Sequence, residues 1–117
     1  MKQVAKKITY VVRNRPVTLG VRIGQGQLGS TTVFRDKQEL ASAGGVLRVL
    51  LGEGRDLVGS KVRIDSVVQD VLAPTNRMTV EYVLEGGTTR QVFESRTTVK
   101  EDDLARFVTT ITFARDS

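Results

Sequence analysis

What most limits the folds open to this chain is an alternation of period two that returns from one end to the other. Val17, Leu19, Val21 and Ile23 alternate with Thr18, Gly20 and Arg22. Successive side chains of a strand point to opposite faces, so these four apolar residues share one face, whereas a helix would scatter them around its axis. Ile8, Tyr10 and Val12 stand in the same relation to Lys7, Thr9, Val11 and Arg13. Met78, Val80, Tyr82 and Leu84 alternate with Thr79 and Glu81, and Phe107, Thr109, Ile111 and Phe113 with Arg106, Val108, Thr110 and Thr112. Turn formers punctuate the runs: Arg13-Asn14-Arg15-Pro16, Gly86-Gly87, and the charged stretch Lys100 to Asp103.

Other stretches are less regular. Leu28 to Phe34 reads as a further strand. Residues 44–54, GGVLRVLLGEG, are more continuously apolar, the expectation for a strand buried on both faces or crossing between sheets. In residues 60–71, Val62 and Ile64 lie opposite Arg63 and Asp65, and adjacent Val67 and Val68 interrupt the alternation, which points to a bulge or a change of facing. Pro74 and Asn76 supply a turn into the Met78 strand, so the two strands are expected to form a hairpin. Residues 88–99 form the next strand. Asp36 to Ala43 is compatible with a helix, with Asp36 as N-cap, Glu39 three residues on and Gly44 to stop it. Eight or nine short strands and at most one short helix describe an all-β fold: a two-sheet antiparallel sandwich in one domain, residues 1–117, with a closed barrel as the alternative.

One motif asks for a different fold. Gly24-Gln25-Gly26-Gln27-Leu28-Gly29 matches the G-x-G-x-x-G pattern that cradles dinucleotide phosphates. That function needs a helix N-terminus directly after the third glycine. The residues there are Ser30-Thr31-Thr32-Val33-Phe34, whose β-branched and aromatic side chains favour a strand. The motif therefore reads as a glycine-rich corner, and no cofactor is expected.

Composition narrows the chemistry further. The chain has no cysteine and no histidine, which removes thiolate and histidine catalysis and the ordinary structural zinc sites. With four Phe, two Tyr and no Trp, few rings remain for stacking on sugars or bases once core positions are filled. No nucleophile, base and orienting group can be assembled, so the chain is not expected to be an enzyme. Glu101, Asp102 and Asp103, with Asp65 and Asp70, bring calcium to mind, but three adjacent carboxylates cannot all face one ion and a solvated loop is the simpler reading. No apolar run approaches a membrane span, and the basic start lacks the apolar core of a signal peptide. With Met1 as the natural start, the expected location is cytoplasmic.

The charge is unevenly spread. Residues 1–35 carry seven basic side chains and no acidic one; the remaining eleven basic residues share the rest of the chain with all 13 acidic ones. Such asymmetry fits a polyanion or an acidic protein surface as partner, or simply the water-facing positions of the first strands. The expected function is a non-enzymatic protein-interaction or assembly module, with a protein partner or homo-oligomer engaged through a sandwich surface or edge strand. The first strand is the expected edge. The alternative is nucleic-acid or other polyanion binding through Lys2, Lys6, Lys7, Arg13, Arg15 and Arg22 by phosphate neutralisation, with Arg90 and Arg96 joining if their strand lies nearby.

Overall fold

The computed structural model describes residues 1–24, 27–71, 76–100 and 103–116. Within them run β1 (Lys2–Val12), β2 (Pro16–Ile23), β3 (Leu28–Arg35), β4 (Gln38–Gly44), β5 (Val46–Glu53), α1 (Gly54–Leu57), β6 (Lys61–Gln69), β7 (Arg77–Glu85), β8 (Gln91–Thr98) and β9 (Leu104–Arg115). A five-stranded sheet has the order β1-β9-β6-β3-β4 and a four-stranded sheet the order β5-β2-β7-β8. The fold is an all-β sandwich rather than a closed barrel.

The alternating stripes become the core between the sheets. Val17, Leu19, Val21 and Ile23 of β2 and Met78, Val80, Tyr82 and Leu84 of β7 are buried, facing Val62 and Ile64 of β6 and Phe107, Ile111 and Phe113 of β9. Burying one face of each sheet against the other removes apolar surface from water, the main stabilising term in folding. Polar groups inside are paired. The Tyr82 hydroxyl accepts a hydrogen bond from Thr109 at 3.0 Å, and its ring stacks on Phe93 with centroids 4.8 Å apart. Burial lifts the Tyr82 phenol above its ordinary pKa of 10.0, against the pull of its hydrogen bonds to Thr109 and Ser95.

One pairing departs from the antiparallel rule. The first strand, β1, runs parallel to the last, β9, in register from Lys2 opposite Ala105 to Val12 opposite Arg115. Parallel neighbours need a long connection, and here the rest of the domain supplies it.

Three local expectations are corrected, and a fourth is met in one of its two alternatives. Strands β6 and β7 form no hairpin: β6 lies between β9 and β3, while β7 lies in the other sheet between β2 and β8. Alternation shows which face is buried and leaves the choice of neighbour open. Pro74 lies outside the described residues. Strand β6 also has no bulge. Its register with β3 and β9 is unbroken, and Ser66 takes an inward place, bonded to Thr31 at 2.7 Å, while Val67 faces out. The register shifts fall instead at Val17/Thr18 and Val33/Phe34.

Third, residues 36–43 form no helix, and residues 38–43 belong to β4. Asp36 and Lys37 turn β3 into β4, with Asp36 at φ 53. The Asp36 backbone N–H donates to the Lys61 carbonyl, and its carboxylate accepts from the Lys61 backbone N–H at 3.0 Å. Pairing with β3 and packing of Leu40, Ala41 and Ala43 on the core outweigh a weak helical propensity. The short helix falls at α1 instead. Fourth, the apolar run 44–54 does cross between sheets, at Gly44-Gly45, but β5 is then an edge strand and is not buried on both faces. Leu47 and Leu51 are buried, whereas Val46 and Leu50 are 63% and 59% exposed.

The glycine-rich corner has a packing explanation. Gly29 sits in β3 opposite Val68, and a Cβ there would lie 2.7 Å from the Ile23 side chain. Ser30 to Phe34 continue the strand, so no helix follows. Gly26 lies outside the described residues.

Candidate functional site

The six basic residues singled out from the sequence do not converge on one surface. Lys7 lies on the solvent face of β1. Lys2 and Lys6 reach across the side of the sandwich to the other sheet, donating to the Thr98 and Glu94 carbonyls of β8 at 3.1 and 3.0 Å. The Lys6 ammonium also stands 5.6 Å from the centre of the Phe93 ring. Arg13 pairs with Asp116 at 2.8 Å, and Arg15 donates to the carbonyls of Gly86 and Gly87. Arg22 pairs with Glu81 at 2.8 Å on the outer face of the four-stranded sheet. Of the two possible additions, Arg96 does come near Lys2, while Arg90 lies beside Glu85 at 3.8 Å.

The acidic residues are likewise apart. Asp65 takes a hydrogen bond from Arg106 at 2.9 Å, and that bond, reinforced by charge attraction, holds the Arg106 guanidinium above its ordinary pKa. Asp70 is buried, accepts from the Gln27 side chain at 2.9 Å, and keeps one oxygen without a partner among the described residues. Asp103 is exposed; Glu101 and Asp102 lie outside the described residues. Among the described residues no three His, Cys, Asp or Glu side chains gather where they could hold a metal.

What the topology does place on the surface is two long sides of the sandwich with open strand edges. On one side are β1 and β8. The Val12 carbonyl accepts from Asp116 on the β9 side, while the Val11 carbonyl accepts from Thr88 on the other. By alternation, the backbone groups of Gln3, Ala5, Lys7 and Thr9 point to the open edge, and their side chains face water. Facing them, two carbonyls of the β8 edge, those of Thr98 and Glu94, accept from Lys2 and Lys6. Gly87 bridges to Val12, and Tyr10 binds this corner twice, accepting from the Gly87 N–H at 3.0 Å and donating to the Thr89 carbonyl at 2.6 Å.

On the other side are β4 and β5. Gly45 ties the two sheets, its carbonyl accepting from Ile23 and its N–H donating to Gly29. Since Gly45 bonds toward β2, alternation sends the backbone groups of Val46, Arg48 and Leu50 to the open edge. Their side chains form the outer rim of the sheet, next to a concavity of about 350 Å³ floored by Gly20 and Val83. A second concavity, of about 530 Å³, lies where β7 and β8 meet Lys2.

Comparison of the chain with protein-family models, with curated proteins and with solved structures finds no match. Among the described residues no helix is long and apolar enough to cross a membrane.

Sequence reasoning missed β5 as the exposed apolar edge because a continuous apolar run signals burial. The one polar interruption, Arg48 between Val46 and Leu50, was the available sign that this face meets water.

Proposed function

We propose that the protein is a non-enzymatic interaction module that accepts an extended segment of another protein as an added strand on β5. The observation that carries this reading is the β5 edge itself: open backbone groups at Val46, Arg48 and Leu50 combined with two large exposed apolar side chains. Strand addition uses main-chain hydrogen bonds for affinity and alternate side chains for selectivity. An apolar edge left open is also a hazard for aggregation, which favours its having a use.

Charge selects the occupant. A second copy pairing antiparallel so that all three open residues are matched would set Arg48 opposite Arg48, and like charges directly opposite are destabilising. A foreign strand with apolar residues against Val46 and Leu50 and a carboxylate against Arg48 meets no such penalty. The β1 edge serves this purpose less well, because its open residues are Gln3, Ala5, Lys7 and Thr9, and lysine on an edge discourages pairing.

The test is titration of isotope-labelled protein with a synthetic peptide alternating valine and glutamate, followed by NMR. Shifts centred on Val46, Arg48 and Leu50, weakened when the glutamates become lysines and abolished in Leu50→Lys, support the reading. Binding that ignores both changes overturns it.

The polyanion reading keeps support at one place, where Lys2 stands beside Arg77 and Arg96.

A further inference from the structure

Gly29 and Gly87 are glycines that packing demands, because a Cβ at either would collide with neighbouring backbone. Gly20 is different. It lies in the middle of β2, paired on one side with Arg48 of β5 and on the other with Val83 of β7. Its φ is not positive, and among the described residues a Cβ there would meet only the Val83 Cβ, at an ordinary 3.8 Å. A glycine inside a strand weakens it, and it often marks a place where a ligand or another backbone comes close. Neither backbone conformation nor packing within the described residues calls for this one.

The missing side chain leaves a notch in the outer face of the four-stranded sheet, a concavity of about 350 Å³ floored by Gly20 and Val83. The register builds its walls. To one side Arg22 and Glu81 are cross-strand partners joined at 2.8 Å, with Val46 beyond Arg22. To the other, Thr18 stands opposite Glu85, which Arg90 approaches to 3.8 Å. Both glutamates of the lining are thereby engaged. Arg48, at the β5 end of the notch, is the lining cation that pairs with no carboxylate among the described residues.

We infer that the notch binds a small monocarboxylate with an apolar body, a short aryl- or alkyl-carboxylate, its apolar part on Gly20 and Val83 and its carboxylate on the Arg48 guanidinium. Small-molecule sites run from about 300 to 1,000 Å³ and combine an apolar lining with a few placed polar groups. This concavity stands at the lower end of that range, which selects a small occupant. Guanidinium forks match carboxylates, and charge-assisted hydrogen bonds are the strong ones. The site shares Arg48 with strand addition on β5 but lies on the outer face rather than along the backbone edge, and neither reading requires the other.

The experiment titrates labelled protein with 3-phenylpropionate at constant ionic strength, following backbone resonances, beside the uncharged 3-phenylpropanamide and acetate. Saturable shifts at Gly20, Arg48 and Val83 are expected with the acid, with the amide about tenfold weaker for want of the charge-assisted bond. Gly20→Val places a branched side chain that suits a strand into the notch, and should abolish binding without loss of stability in urea unfolding. In Arg48→Gln the acid and the amide should bind equally, a comparison made within one variant and so indifferent to any association of that variant through β5. Non-saturating shifts with the acid, or Gly20→Val binding it as the parent does, would overturn the site. Acetate binding as tightly as phenylpropionate would overturn the apolar floor, and a preference for acid over amide that survives in Arg48→Gln would overturn the assignment of the carboxylate to Arg48. Should the valine variant fail to fold, the acid-to-amide comparison in Arg48→Gln decides alone.

Discussion

The two long sides of the sandwich close the same gap by different means. Along β1 and β8, side chains do the work: Lys2 and Lys6 occupy the β8 carbonyls, and Tyr10 with Gly87 fastens the corner. Along β4 and β5 the chain itself crosses between sheets at Gly44-Gly45, and among the described residues no side chain hydrogen-bonds the β5 backbone at Val46, Arg48 and Leu50. Every open sandwich has edges, and their exposed N–H and C=O groups will pair with any suitable strand unless blocked. On the proposed reading, lysines on one side and valine and leucine on the other separate a closed edge from a receptive one, and Arg48 opposes pairing with a second copy.

Substitutions on each side sharpen this contrast, and the largest effects belong to the latched side. Gly87→Ala is expected to cost about 3 kcal/mol in urea unfolding, because a Cβ there would lie 2.6 Å from the Tyr10 ring and also meet the Val11 carbonyl. A loss well under 1 kcal/mol would show that the corner yields freely and does not fasten β1. Tyr10→Phe keeps the ring but leaves the Gly87 N–H and Thr89 carbonyl without their partner; about 2 kcal/mol should be lost in the same assay.

Replacing Lys2 and Lys6 together by threonine should change stability by no more than about 1 kcal/mol, since exposed charged contacts contribute little. Its effect should appear in sedimentation instead, as stronger concentration-dependent association than the unsubstituted protein shows. A double variant that associates no more than the parent protein would mean the lysines do not guard β8. The smallest change in stability, within about 0.5 kcal/mol, is expected for Arg48→Thr, yet this variant should dimerise through β5 because the like-charge opposition is gone.

Much of the fold was legible because alternation needs no tertiary information. The inward faces of β2, β7 and β9 and the sandwich class follow from which residues repeat at every second position. Strand partners did not follow. Val62 to Val68 and Met78 to Leu84 carry equivalent apolar stripes, and nothing local tells whether such stripes pair side by side or face each other across the core. The bulge or change of facing expected at Val67 and Val68 is absent because Ser66 holds the inward place between Ile64 and Val68; its bond to Thr31 on the neighbouring strand is what makes it tolerable inside. The pairing of Thr79 with Arg96 was beyond reach for the same reason. Each residue was readable as outward-facing, but only the β7–β8 register puts them opposite each other.

The central claim, that β5 is receptive and β1 is closed, is tested most directly by residue-resolved amide hydrogen exchange with and without the valine–glutamate peptide. In the free protein the amides of Val46, Arg48 and Leu50 should exchange fast, while those of Leu47 and Val49, bonded toward β2, are protected. With peptide, Val46, Arg48 and Leu50 should slow together, and Gln3, Ala5, Lys7 and Thr9 should keep their free rates. Protection appearing along β1 instead, or none on β5 at saturating peptide, would contradict the account.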